Sequence, residues 1–273
     1  MIVLLKPAEL LYRAVNRVRR ALYRAGVLKA KRLDKPVISV GNIALGGAGK
    51  TPAVIAICRF LEKRGFRVGV LTRGYGGSAS GVVDALDAKR FGDEPVLIKK
   101  STESATVIVG VNRYENALRQ SCDVFVLDDG FQHLQLHRDL DIVIDVPSRF
   151  FREGRSALRD ADVVVARRLQ LRIPDALRGR RVFAFAGLAN NEQFFDALRE
   201  AGLQVLGTRS FPDHHRYTPD DIAGIHAEAR DADAIVTTEK DAVKIDTPDV
   251  IAIPAEFVLD DAVLARIAEV ASR

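Results

Sequence analysis

From Pro36 onward, the hydrophobic and polar positions form two patterns that alternate along the chain. Short runs rich in Val and Ile precede longer stretches in which apolar residues recur at helical spacing, a pattern typical of parallel strands joined by helices. The predicted strands are 37–43, 67–72, 106–109, 123–128, 141–146, 162–166, 182–186 and 234–238. The predicted helices are 51–64, 111–121, 190–201, 218–231 and 259–271. The fourth helix has Thr218 as its N-cap. We therefore predict a doubly wound α/β fold.

The first 35 residues have a different pattern, that of an amphipathic helix. At about 100° per residue, one side carries Arg13, Arg17, Arg20 and Arg24. The opposite side carries Leu11, Ala14, Val15, Val18, Leu22 and Ala25. Two interpretations stay open: the helix lies on an anionic membrane surface with its apolar side in the headgroup boundary, or it packs on its own domain. The apolar start Ile2-Val3-Leu4-Leu5 favours the membrane surface.

The charge of the chain is concentrated in that segment. Residues 1–35 hold ten Lys or Arg against two acidic residues, a net charge of +8, so the remainder of the +5 chain carries −3. A nucleic-acid partner is disfavoured, because the basic excess is not on a domain face and the chain has five Tyr and no Trp for base stacking.

The two cysteines are too few for a disulfide framework. No stretch predicts a signal peptide or a membrane span. Together these features favour a reducing, cytosolic setting.

A glycine-rich turn follows the first predicted strand and precedes the first predicted helix. It reads Gly46, Gly47, Ala48, Gly49, Lys50, Thr51, Pro52. In this context backbone amides surround phosphate oxygens, the Lys50 amine reaches the β- and γ-phosphates, and the Thr51 hydroxyl ligates Mg²⁺. The strict P-loop pattern has glycine where this chain has Ala44. The turn nevertheless predicts ATP and Mg²⁺ binding in a P-loop NTPase-like fold.

Two carboxylates, Asp128 and Asp129, end the predicted strand 123–128, as in a Walker B segment. Because the carboxyl ends of parallel strands meet at one edge of a sheet, either carboxylate can bind the Mg²⁺ that Thr51 holds. An Asp pair after a strand is often only a cap or a turn. Its occurrence together with the P-loop favours the metal site.

Phosphoryl transfer also needs a group that deprotonates an acceptor hydroxyl. Two predicted loops offer candidates, Gly92-Asp93-Glu94-Pro95 and Phe211-Pro212-Asp213-His214-His215. Arg73 and Arg113, the latter at a predicted helix start, are candidates for neutralising the transferred phosphoryl group. Spacing alone assigns none of these roles, since each side chain is also compatible with a solvated surface position.

Taken in order along the chain, these motifs resemble the tetraacyldisaccharide 4'-kinase family, the lipid A kinases of Gram-negative bacteria. The similarity runs nearly end to end. It rests on the basic amphipathic N-terminus, Val40-Gly41-Asn42 before the P-loop, Arg73-Gly74-Tyr75-Gly76-Gly77, Gly92-Asp93-Glu94-Pro95, Asp128-Asp129-Gly130-Phe131-Gln132-His133, Phe211-Pro212-Asp213-His214 and Thr238-Glu239-Lys240-Asp241. The family also has a non-glycine residue at the position of Ala44.

The resemblance implies transfer of the γ-phosphate of ATP to the 4'-hydroxyl of tetraacyldisaccharide 1-phosphate, an acylated glucosamine disaccharide, at the cytoplasmic face of the inner membrane. It implies Asp93 as general base supported by His214, with Lys50 as a further catalytic group. Thr51, Asp128 and Asp129 hold Mg²⁺ in this scheme. The resemblance places Arg113, Gln132 and His133 near the nucleotide phosphates, and Arg73, Arg152 and Glu153 at the substrate.

The sequence departs from the family after Asp145. A longer glycine- and proline-rich stretch ending in Pro-Leu-Arg-Glu-Pro is usual there, whereas this chain has only Phe150-Phe151-Arg152-Glu153-Gly154.

The expected organisation is a membrane-associating segment 1–35, a P-loop catalytic domain 36–165 and a smaller C-terminal α/β domain 166–273. The protein is expected to act as a monomer. The open alternatives are a P-loop kinase or ATPase with another soluble or lipid acceptor, and a nucleotide-dependent membrane-binding module without catalysis.

Overall fold

The computed structural model describes residues 2–44, 46–148 and 150–273, and the side chains of these residues except 2–9 and 11. The side chains of Ile2-Val3-Leu4-Leu5 and of Leu11 therefore lie outside the described residues. The helices are α1 (Ile2–Arg24), α2 (Lys50–Glu62), α3 (Ala88–Phe91), α4 (Asp93–Ser101), α5 (Arg113–Leu118), α6 (Glu192–Glu200), α7 (Pro219–Glu228), α8 (Glu239–Ala242) and α9 (Asp261–Ala271). Within the described part of the chain, no helix is both long and apolar enough to cross a bilayer.

The strands form a larger, mostly parallel sheet, a smaller parallel sheet and one short antiparallel pair. The first strands are β1 (Val37–Gly41), β2 (Val68–Thr72), β3 (Gly81–Val82), β4 (Thr106–Val109), β5 (Val124–Asp128), β6 (Leu140–Asp145) and β7 (Val163–Ala166). The later strands are β8 (Leu169–Leu171), β9 (Arg181–Ala186), β10 (Gln204–Ser210), β11 (Ala234–Thr238), β12 (Val250–Ile253) and β13 (Ala255–Phe257). All eight predicted strands are present, with ends shifted by a residue or two.

The larger sheet has the strand order β3-β4-β2-β5-β1-β6-β7, and every neighbouring pair is parallel except β3 with β4. Strands β1, β2 and β5 are buried along their whole length, because helices cover both faces of the sheet. The smaller sheet has the order β10-β9-β11-β12 and is parallel throughout. The predicted doubly wound, mostly parallel architecture with a smaller C-terminal α/β part is confirmed.

Strands β8 and β13 pair with each other where the chain passes between the two sheets. After β13 the chain returns to the larger sheet, where α9 packs against α2 and buries Val263, Ile267 and Val270 in the main core. The last helix of segment 166–273 is thus part of the larger core. The division at residue 165 stays a prediction.

Local signals explain the helix ends. Thr218 caps α7 as predicted: its hydroxyl accepts from the Asp221 amide, and the Asp221 carboxylate accepts from the Thr218 amide. Helix α2 begins after Gly49, whose φ of 79° favours glycine, and no side chain caps its first amides. The N-terminus of α2 is therefore free to receive an anion.

Candidate active site

The P-loop and the Asp pair lie side by side at the carboxyl edge of the larger sheet. Strands β1 and β5 are direct neighbours, with Val40 opposite Asp128. Lys50 Nζ is 3.3 Å from Asp129 Oδ1 and 3.3 Å from Asn42 Oδ1. The adjacency expected from parallel strands is therefore present, with the P-loop lysine pointing to the end of β5.

The two carboxylates of the pair have different environments. Asp128 is 2% exposed and accepts a 2.9 Å hydrogen bond from Thr72 Oγ1. Burial, with the charges of Glu94 and Asp129, raises the pKa of Asp128 to about 7. Burial by itself would raise the pKa of Asp129 as well, but the charges of Lys50 and Arg152 hold that pKa below the usual range. Asp128 thus faces negative neighbours, a setting that an added cation would relieve.

These oxygens fit a magnesium ion that is completed by nucleotide phosphates. Mg²⁺ prefers carboxylate and hydroxyl oxygens and takes few ligands from the protein. Asp128, Asp129 and the Thr51 hydroxyl supply such a set at one end of the cleft. Among the described residues no cluster of three or more His, Cys, Asp or Glu could hold a metal by itself.

Asp93 and His214 contact each other across the cleft between the sheets. His214 Nδ1 is 3.1 Å from Asp93 Oδ2. The motif Gly92-Asp93-Glu94-Pro95 was predicted as a turn, but it starts helix α4, because Pro95 is tolerated in a first helical turn. His214 has a φ of 60°, an uncommon conformation for a non-glycine residue that is frequent at functional sites. The residues predicted as a dyad are brought together.

Two lysines beside the dyad were not singled out from the sequence. Lys240 Nζ is 3.3 Å from His214 Nε2 and 2.9 Å from Asp213 Oδ1. Lys244 Nζ is buried, 2.7 Å from Asp241 Oδ1 and 3.9 Å from Asp93 Oδ2. The Thr238-Glu239-Lys240-Asp241 motif is the sequence signal that points to Lys240, which lies in helix α8. Lys244 lies two residues after the end of α8, outside that motif.

The residues expected near the phosphates line the same cleft. Arg113 is 6% exposed, and its Nη2 donates to the Asp128 carbonyl at 3.2 Å. Burial lowers the pKa of Arg113 and lowers that of His133 to about 4, so His133 is uncharged at neutral pH. Gln132 Nε2 donates to the Asn42 carbonyl at 2.8 Å. Arg73 is exposed at the cleft wall.

Of the three residues expected at the substrate, Arg73, Arg152 and Glu153, the last two contact different groups. Arg152 Nη1 lies 2.7 Å from Asp129 Oδ2 and lines the cleft. Glu153 is 3% exposed and is bound by Arg20 and Gln132. Glu153 therefore contacts protein groups, and its role as a substrate residue stays a prediction.

A cavity of about 1240 Å³ lies between the two sheets. Its lining includes the P-loop, the Asp pair, His214 and Lys240, and on the side of the smaller sheet Leu188, Phe194 and Ile253. Such a volume exceeds the usual range of small-ligand pockets, about 300–1,000 Å³. The cavity is large enough for a nucleotide and part of a second substrate.

Comparison with known proteins places these features in a family. The family model described as tetraacyldisaccharide-1-P 4'-kinase matches residues 1–176 and 160–272. The tetraacyldisaccharide 4'-kinase of Pelobacter propionicus is 38% identical over 301 residues, covering 90% of this chain and 83% of that protein. The enzyme of the same name from Geobacter metallireducens is 38% identical over 300 residues, covering 90% and 89%.

A solved structure gives the same result. The "apo" form LpxK from Aquifex aeolicus in complex with ATP matches with a TM-score of 0.79 and 30% sequence identity, covering 99% of each chain. Both the sequence and the fold are similar to those of these relatives. The chain belongs to the tetraacyldisaccharide 4'-kinase family.

Proposed function

We propose that the cleft transfers the γ-phosphate of ATP to the 4'-hydroxyl of tetraacyldisaccharide 1-phosphate, with Asp93 as the general base. The observation that carries this proposal is the common cleft, which is lined by the P-loop, the Asp pair and His214, and Asp93 contacts that His214 at 3.1 Å. Family membership supplies the reaction and the lipid A biosynthetic context. The relative from Aquifex aeolicus, solved in complex with ATP, supports the nucleotide.

The chain's own residues have distinct parts in the proposed transfer. Backbone amides of the P-loop and the N-terminus of α2 bind the phosphates, and Lys50 neutralises charge at the β- and γ-positions. The carboxylate of Asp93 accepts the proton of the acceptor hydroxyl, and His214 orients that carboxylate. Thr51, Asp128 and Asp129 would hold Mg²⁺, which when bound reduces the charge on the phosphates. Arg113 and Arg73 face the transferred group.

We propose further that helix α1 rests on an anionic membrane surface. Asn16 and Arg20 are buried against the protein, whereas residues of the apolar side face outward. Val15 is 49% exposed and Val18 58%. An exposed apolar stripe on a basic amphipathic helix suits the headgroup boundary. This supports a peripheral location at the cytoplasmic face of the inner membrane.

One chain supplies the P-loop, the Asp pair and the Asp93–His214 contact, which supports a monomer.

The test of the reaction supplies γ-labelled ATP, Mg²⁺ and detergent-dispersed tetraacyldisaccharide 1-phosphate. We expect label in the lipid, on the 4'-oxygen. Label released only as inorganic phosphate, or found only on a soluble acceptor, would contradict the proposed acceptor.

The membrane contact is tested by liposome sedimentation with anionic vesicles. The double variant Val15→Glu/Val18→Glu should sediment less than the wild type, since it adds charge to the apolar stripe. Leu206→Glu changes a residue of similar exposure on β10 and serves as the control. Equal sedimentation of the double variant, the control and the wild type would show that the stripe does not contact lipid.

A further inference from the structure

Arg20 is the buried cation by which α1 is attached to the catalytic part of the protein. It is 6% exposed, although the sequence places it on the basic side of α1. Its guanidinium forms a bidentate contact with the Glu153 carboxylate, with Nη2 2.8 Å from Oε1. Nη2 also donates to the Phe131 carbonyl at 2.9 Å, and Nη1 lies 3.3 Å from Asp160 Oδ2.

A buried ion pair of this kind is weak evidence for added stability, because removing both charges from water costs about as much as their attraction returns. Its geometric effect is clearer. Arg20 fixes Glu153 and the carbonyl of Phe131, which lies two residues after Asp129. The guanidinium also stacks 4.0 Å from the centroid of the Phe131 ring. One side chain thus holds the loop after β5 against the loop that contains Glu153.

Arg152, the neighbour of Glu153, extends from this anchored loop to the metal site. Its backbone amide donates to the Ile43 carbonyl at 2.7 Å, and its carbonyl accepts from Asn16 of α1 at 3.4 Å. Its Nη1 binds both oxygens of Asp129, at 2.9 and 2.7 Å. Asp129 in turn contacts Lys50. A continuous series of polar contacts therefore joins α1 to the P-loop lysine.

We propose that Arg20 is a positioning residue for phosphoryl transfer. By fixing Glu153 it sets where Arg152 lies, and Arg152 sets the orientation of Asp129 towards Lys50 and the metal position. Helix α1 is then part of the catalytic structure in addition to any contact with lipid. This inference rests on the proposed kinase reaction, and its test separates the two.

The test compares Arg20→Met with Lys29→Met in the full-length protein, using detergent-dispersed lipid acceptor. Each variant removes one positive charge from the basic N-terminal segment, but Lys29 is exposed. We expect Arg20→Met to lower kcat by about tenfold to a hundredfold, the range found for residues that orient metal ligands, with KM for the lipid unchanged. We expect Lys29→Met to keep the wild-type kcat.

A second variant separates positioning from folding. Arg20→Met leaves the Glu153 carboxylate buried without its cation and should lower Tm, whereas Arg20→Met/Glu153→Met removes both charges and should recover Tm. If the contact positions Arg152, kcat stays low in the double variant although Tm recovers. Recovery of kcat together with Tm, or an Arg20→Met kcat equal to that of Lys29→Met, would overturn the inference. A wild-type protein that labels no lipid would instead refute the proposed reaction.

Discussion

Lys240 offers a sharp test of how the Asp93–His214 contact works. Its ammonium can only donate, so at 3.3 Å from His214 Nε2 it requires a lone pair on that nitrogen. The proton of a neutral imidazole then sits on Nδ1, from which it donates to Asp93 Oδ2 at 3.1 Å. Under the proposed mechanism, His214 in this arrangement orients Asp93, and the proton from the acceptor would stay on the Asp93 carboxylate.

The replacement Lys240→Met removes that donor while keeping a side chain of similar length. A hydrogen bond to a charged group contributes about 1.5–3 kcal/mol. Since about 1.4 kcal/mol corresponds to a factor of ten in rate, the expected fall in kcat is about tenfold to a hundredfold when the whole contribution bears on the transition state. Lys240 is 17% exposed, so solvent replaces only part of the lost contact.

The assay is kcat at saturating ATP and lipid, measured as a double-mutant cycle with His214→Ala. Lys63→Met, which removes an exposed charge at the end of α2, is the control. If Lys240 acts through His214, its replacement changes kcat by less than about twofold once the imidazole is absent. The same large loss in both backgrounds would refute this reasoning. Nitrogen NMR of labelled histidine should show the Nδ1-protonated tautomer of His214 in the wild type.

The remaining predictions concern backbone and cap positions. A Cβ at Gly41 would lie 2.4 Å from Phe131 Cβ and 2.8 Å from its amide nitrogen, so Gly41→Ala should destabilise by about 1–3 kcal/mol in urea unfolding. Unchanged stability would contradict the close packing. Gly92→Ala combines a φ of 92° with a Cβ 2.6 Å from the Tyr75 carbonyl, and should lower kcat by displacing Asp93; a wild-type kcat would argue against that dependence. Thr218→Ala removes the cap of α7 and should cost about 1 kcal/mol in urea unfolding, with kcat unaffected.

The parallel strands of the larger sheet could be predicted because burial on both faces requires continuous apolar runs, as in β1 and β5. The antiparallel edge strand β3 has only two residues and was missed. Strand β10 was missed since its residues alternate between exposed and half-buried and its register shifts at Gly207, which leaves no apolar run. Strands β8 and β13 have only three residues each. Helix α4 was missed because Gly92 and Pro95 are typical of a turn, and the sequence alone does not show the backbone conformation that they adopt.

The residues of the candidate site could likewise be predicted only in part from the sequence. The P-loop and Asp128 could be located from sequence, since each follows a parallel strand and the edge they share is fixed by topology. Arg20 could not, because helical periodicity places it on a basic side and only packing shows that Arg20 itself is buried. The contact of Lys240 with His214 likewise depends on how β11 and the loop after β10 meet, which residue spacing does not encode.

The most direct test of the central claim compares Asp93→Asn with Lys50→Met for both turnover and ATP affinity. Asp93→Asn keeps the shape of the side chain but cannot accept a proton, so kcat should fall by about a hundredfold to ten-thousandfold while the Kd for ATP stays unchanged. Lys50→Met should weaken ATP binding as well as turnover, because its ammonium faces the phosphates. A wild-type kcat in Asp93→Asn, or an equal loss of ATP affinity in the two variants, would contradict the assignment of Asp93 as the base.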